Sequence, residues 1–278
     1  MIALILAICS SAMVAIMMRL AQPRVNHPTG LLAANYIVCS LLALFLSFPE
    51  LSGLSVANVG FSAALGIVNG LLYLGSFVLM QWNTRHNGVV LSSVFMKLGI
   101  LVPTVLSVVW FHEIPTMVQA IGFLLAILAI LIINFQKGAQ LSRASWGLIL
   151  MLLAGGMADG MSKIFEEYGS SSCKNLFLFF TFFCALLLCL LLVLHRKERI
   201  GKKELLFGAA LGVPNFFSSL FLLRSLATVP AVIAFPTYSV AVILVVALAG
   251  IVFFKERLSL RQIAGGLLIC IALVFLNL

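Results

Sequence analysis

Ten apolar runs, each about the length of one membrane-crossing helix, fill this chain and leave only short polar breaks between them. A helix needs ~20 predominantly apolar residues to cross a hydrocarbon core of ~30 Å. The runs fall at 1–19, 30–49, 58–81, 88–111, 116–136, 145–165, 174–195, 204–224, 229–254 and 259–277. With 63% hydrophobic and 9% charged residues among 278, the chain lies far from soluble domains, which carry about a quarter charged residues. Soluble enzymes and nucleic-acid binders are excluded on that ground. In lipid each span must satisfy its own backbone, which a helix does, and the short alternating segments of a barrel are absent from the sequence. The expected fold class is an all-α membrane protein with ten transmembrane helices, placed in the plasma (inner) membrane.

The net charge of +9 reads as a topology signal. Arg19, Arg24, Arg85, Lys137, Arg143, Arg196, Lys197, Arg199, Lys202, Lys203, Lys255, Arg257 and Arg261 follow the odd-numbered spans, and the rest of the 17 Lys and Arg are Lys97, Lys163, Lys174 and Arg224. The basic loops are expected inside, and both termini outside. Arg19, Arg85 and Arg224 sit at span ends as interface anchors. The six cysteines form no CxxC pair or metal spacing, so no metal or cofactor is expected.

A shift of 143 residues lays one half of the chain on the other. Ile100-Leu101-Val102 falls on Ile243-Leu244-Val245, Glu113 on Glu256, Gln119 on Gln262, Gly122 on Gly265 and Asn134 on Asn277. The expected repeats are 1–137 and 144–278. Five helices per repeat is an odd number, so the two enter the membrane in opposite senses, as in many secondary transporters.

Each half closes on the same pattern: Pro103 … Trp110-Phe111-His112-Glu113 … Gln119 … Gly122, then Phe253-Phe254-Lys255-Glu256-Arg257-Leu258-Ser259 … Gln262 … Gly265. This resembles the repeated signature of the drug/metabolite transporter superfamily, EamA-like branch, with His112 and Ile114 in place of the usual Gly and Arg, and an atypical Pro115. The resemblance implies two inverted five-helix repeats, a central cavity, alternating access and a small-molecule substrate.

Lys97 lies near the middle of the fourth span, where a charge costs at least ~2.5–3.5 kcal/mol on insertion scales. Ser93, Lys97, Thr104 and Ser107 share one helix face, a polar stripe that suits a cavity wall. Lys97 either binds an anionic or carboxylate group or gates by changing partners, or else forms a structural ion pair or snorkels to an interface. Asp159 lies four residues before Lys163, so it either pairs along its helix or faces a cavity as a site for a cation, an amine or a proton. Asn69, Tyr73 and Ser76 share a face of the third span, and Gly212, Asn215 and Ser219 one of the eighth, where Pro214 is expected to loosen the backbone. Tyr238, beside Pro236, adds an aromatic wall. Glu113 and Glu256 are expected to cap turns.

These residues point to a non-enzymatic secondary transporter of a small organic metabolite or drug, with lipid around it, no nucleic-acid partner and proton coupling open through Asp159. No GxxxxGK[ST] phosphate loop is present. A flippase for a lipid-linked substrate, a membrane-embedded enzyme and a scaffold are the alternatives. Cysteine labelling of the 196–203 loop in intact cells tests the orientation: a membrane-impermeant maleimide is expected to leave it unlabelled until the cells are opened.

Overall fold

The computed structural model describes residues 1–48, 54–134, 145–198, 200–255 and 259–278. Among them all regular structure is helical: α1 (Ile2–Ala21), α2 (Pro28–Ser47), α3 (Val56–Asn87), α4 (Val89–Leu98), α5 (Leu101–Trp110), α6 (Met117–Asn134), α7 (Ser145–Tyr168), α8 (Lys174–His195), α9 (Lys202–Ser225), α10 (Ala231–Phe254) and α11 (Leu260–Leu276). Eight segments are long and apolar enough to cross a membrane, Leu91–Trp110 counting as one; Met117–Ile133 and Leu260–Leu276 are apolar but shorter. The chain is an integral multi-pass membrane protein. Lys137, Arg143, Arg199, Glu256 and Arg257 lie outside the described residues.

The helices depart from the expected spans in three places. The third helix does not end at residue 81 but runs on to Asn87, and Gly88 stops it with φ 81°. Asn83, expected in a loop, is buried and donates from Nδ2 to the carbonyls of Leu79 and Gly147, both at 2.8 Å. Pro214 does not interrupt its helix: α9 is continuous through it, with α1 and α2 packed along it. The interruption lies instead in the fourth span, between α4 and α5.

Two compact units can be drawn, and each takes helices from both halves of the sequence. One comprises 1–74 and 161–227, the other 75–160 and 228–278, with the boundaries falling inside α3 and α7.

In the first unit α2 packs against α8 and α9, and α9 also against α1. Lipid supplies no hydrophobic drive between helices, so close backbone approach at small residues carries the packing. A Cβ on Gly208 would strike the Leu31 carbonyl and come within 2.6 Å of the Ala34 Cβ; one on Gly212 would lie 2.6 Å from the Val38 Cβ. The same device joins α3 to α8. There a Cβ on Gly66 would lie 2.6 Å from the Phe180 Cβ, and one on Gly70 2.7 Å from the Cys184 Cβ. In both contacts a pair of glycines four residues apart lets one helix settle on another.

In the second unit α6 and α11 pair along their lengths over a core that includes Ala126, Ala129, Ile130, Ile269 and Ala272. Gly122 lies against Phe275 and Leu276, while Gly265 lies against Ile133 and the Ala129 carbonyl. Gly265 and Leu276 stand 143 positions after Gly122 and Ile133. The contact is therefore reciprocal and the two helices run antiparallel.

The turns before them also match. His112 (φ 55°) and Lys255 (φ 51°) end α5 and α10 in the left-handed region, which costs a non-glycine residue energy. Thr116 then exchanges hydrogen bonds with Gln119, and Ser259 with Gln262, as a capping box. Glu113 caps as expected: its Oε2 accepts from the Val232 amide at 2.9 Å, in the first turn of α10.

Gly208→Ala is expected to lower stability by about 1–3 kcal/mol through overpacking against α2. Gly266→Ala, where an added Cβ meets nothing within 4 Å, is expected to leave the melting temperature of the purified protein unchanged.

Candidate functional site

The break between α4 and α5 has an identifiable cause. Pro103 carries no N–H for the carbonyl four residues back, and its ring crowds that carbonyl, which belongs to Gly99. The Val102 amide turns to the Gly99 carbonyl instead, three residues back at 3.0 Å, and the Gly99 amide bonds to the carbonyls of Phe95 and Met96. The chain tightens there and α5 starts afresh at Leu101.

Lys97 stands in the last turn of α4, where a positive charge complements the negative end of the helix dipole. Across from the break runs α7. A Cβ on its Gly156 would strike the Gly99 carbonyl and lie 2.5 Å from the Val102 Cβ; one on Gly160 would lie 3.1 Å from Leu106. Between these two glycines α7 carries Asp159, and Asp159 is the electrostatic partner of Lys97.

Among the described residues neither side chain makes a hydrogen bond or a contact ion pair, and both are half-buried. The two groups thus interact electrostatically without a closed bridge between them. The local pairing of Asp159 with Lys163 yields to this long-range one. Lys163 is buried and bonds Glu167 Oε2 at 2.9 Å, with Glu166 at 3.7 Å.

Ser93 is half-buried one turn before Lys97 on α4, and Tyr238 is half-buried on α10 of the same unit. The stripe expected to continue through Thr104 and Ser107 does not stay open. Both side chains are buried, and their hydroxyls donate to the carbonyls of Ile100 and Pro103 at 2.9 and 2.8 Å.

Asn69, Tyr73 and Asn215 belong to the other unit and meet there in a cluster of amides and rings. Asn69 donates to Thr181 at 3.4 Å. The Tyr73 ring lies 6.1 Å from Phe182 and 6.4 Å from Tyr36, and Phe182 lies 6.4 Å from Phe216. Asn215, beside Phe216, donates to Asn35 at 3.2 Å, and the Cys39 thiol donates to the Gly212 carbonyl at 3.3 Å. The buried Asn35 Nδ2 and Asn69 Oδ1 have no hydrogen-bond partner among the described residues. A buried amide atom left unmatched costs ~1–3 kcal/mol, so the cluster holds unspent hydrogen-bonding capacity.

Sequence reasoning missed Asn35, Tyr36, Thr181 and Phe182 in this cluster. The signal was present for one of them: Asn35 is the only amide side chain in α2.

At one end of the same unit two glutamates hold the α1–α2 connection. Glu204 is buried, and its Oε1 accepts from the amides of Asn26 at 3.0 Å and His27 at 3.4 Å, satisfying donors at the start of α2. Arg196 donates to the Thr29 hydroxyl at 3.2 Å and lies 3.8 Å from Glu198. The expected anchors Arg19, Arg85 and Arg224 are exposed in the last turns of α1, α3 and α9.

Residues 142–278 match the EamA-like transporter family. An uncharacterized protein of Haemophilus influenzae is 26% identical over 92% of this chain and 90% of its own length. A protein of known crystal structure superposes with a TM-score of 0.78 over 99% of this chain and 98% of that one. At 12% identity that likeness is one of fold.

Glu204→Ala is expected to cost about 1–3 kcal/mol, because two amides at the start of α2 lose their acceptor. Thermal unfolding of the purified variant measures it.

Proposed function

Residues 142–278 belong to the EamA-like transporter family, within the drug/metabolite transporter superfamily, and from that premise we propose that the chain is a secondary transporter. It carries a small organic molecule across the inner membrane by alternating access. The observation that carries this reading is an interrupted helix that bears Lys97 and packs at its break against the segment of α7 that bears Asp159. Ionisable groups kept inside a membrane are costly, and they mark substrate or ion pathways. Discontinuous helices recur where transporters hold their substrates.

The ten-span reading adds the two shorter apolar segments to the eight long ones. The inverted repeats, 1–137 and 144–278, are supported by the reciprocal α6–α11 contact, by the left-handed residues His112 and Lys255, and by the matching Thr116–Gln119 and Ser259–Gln262 caps. Both termini lie outside in this reading, on the charge bias of the loops. Lys97 and Asp159 contact the substrate's polar groups, with Ser93 and Tyr238 beside them. Asn69, Tyr73 and Asn215 form a polar cluster of their own within the other unit, which offers amide and ring contacts there.

Reconstitution tests the proposal. Purified protein in liposomes is expected to show saturable counterflow of a metabolite drawn from a labelled panel. Lys97→Ala is expected to cut that flux by about tenfold or more, the cost of losing a contact to a charged group. Because this variant strands Asp159, Lys97→Ala/Asp159→Ala is made alongside it, with melting temperatures recorded for both. If the folded variants transport at the native rate, the site assignment fails.

A further inference from the structure

We propose that Lys97 and Asp159 take an organic anion together with one proton, the anion on the Lys97 ammonium and the proton on the Asp159 carboxylate, so that the load is electrically neutral. This rests on the transporter reading and names the substrate class of its site.

The argument is one of charge balance. When both are charged, the ammonium and the carboxylate offset each other within the bundle. An anion drawn to Lys97 sets a second negative charge beside Asp159. Like charges sharing a poorly solvated site favour protonation of one of them. Among the described residues of the neighbouring helices no other cation stands ready to compensate. Lys163, one turn along α7, is engaged by Glu167 and Glu166. Neither α5 nor α6 carries an ionisable residue. From α3, Ser76 faces α7 at Gly155, and Arg85 and His86 lie exposed in the last turn. From α10 the titratable side chains are Tyr238 and, just past its end, Lys255. A proton from solvent is what restores neutrality.

The two partners differ in freedom, and this assigns their roles. Lys97 has a flexible stem and a compact ammonium with three donors, at the end of a ten-residue helix beside a break. It can turn from the carboxylate to an incoming anion. Asp159 has a short side chain on a segment of α7 held against α5 at Gly156 and Gly160. It stays in place and takes the proton. The absence of a contact bridge between them leaves each group available to do so.

The full-length protein is titrated with benzoate and lactate, with benzamide and benzylamine as uncharged and cationic counterparts, between about pH 6 and about pH 8. Binding is read as thermal stabilisation and by calorimetry. The anions alone are expected to bind, with affinity rising as the pH falls from about 8, by up to tenfold per unit, the linkage of one proton. A pH indicator in weak buffer should register one proton taken up per anion bound. In Asp159→Asn the anion affinity is expected to become independent of pH, and in Lys97→Gln the preference for anions should vanish.

In liposomes, anion uptake should not respond to a potassium diffusion potential. Binding of benzylamine in preference to the anions, pH-independent binding to the native protein, or no stabilisation by either carboxylate overturns the inference. The indicator reading on native protein decides it even if a variant fails to fold. Proton-linked anion binding without flux would sink the transporter reading alone, and flux of cations or neutral solutes would sink this inference alone.

Discussion

A peptide group in hydrocarbon has no water to bond, and that constraint shapes every element of this protein. It explains why all regular structure among the described residues is helical and why several helix starts are supplied with a side-chain partner. Glu113 caps α10, Glu204 covers the start of α2, and Thr116–Gln119 and Ser259–Gln262 close the entries to α6 and α11. The exception is equally informative. Pro103 removes a donor at the break between α4 and α5, and the chain recovers by bonding three residues back at Gly99. At this irregular backbone stand Lys97 and, across from it on α7, Asp159.

Packing follows from the same solvent. Burying leucine against leucine gains little when the alternative is a lipid chain, so close contacts form where backbones approach. Gly66 and Gly70 bring α3 onto α8; Gly208 and Gly212 bring α9 onto α2; Gly122 and Gly265 bring α6 and α11 together. All three contacts join a helix from one half of the sequence to a helix from the other. The compact units consequently mix the halves, although the repeat is read along the chain.

The helical class, the approximate spans and the individual polar residues were legible because each depends on composition and period. Lys97 and Asp159 stand out in an apolar background without any structure. Their pairing was not legible, since they are far apart in sequence, and the local four-residue rule pointed from Asp159 to Lys163. That rule gives proximity along one helix and ignores competitors: Glu166 and Glu167 lie one turn further on and take the lysine. The prolines teach the same lesson. Pro103 and Pro214 remove the same donor, yet α9 stays helical between α1 and α2 while α4 and α5 part at Gly99.

The sequence by itself determined a bundle of apolar helices, a set of identical residues 143 positions apart and a few costly polar groups within it. Each is a property of one segment, or of two segments compared in register. Only the tertiary structure decided which groups become neighbours: Lys97 and Asp159 on adjoining helices, Asn215 with Asn35, and Tyr73 with Tyr36 and Phe182. These meetings depend on how closely helices from distant parts of the chain approach. That distance is set by glycines and side-chain shapes on both partners, which no single segment specifies.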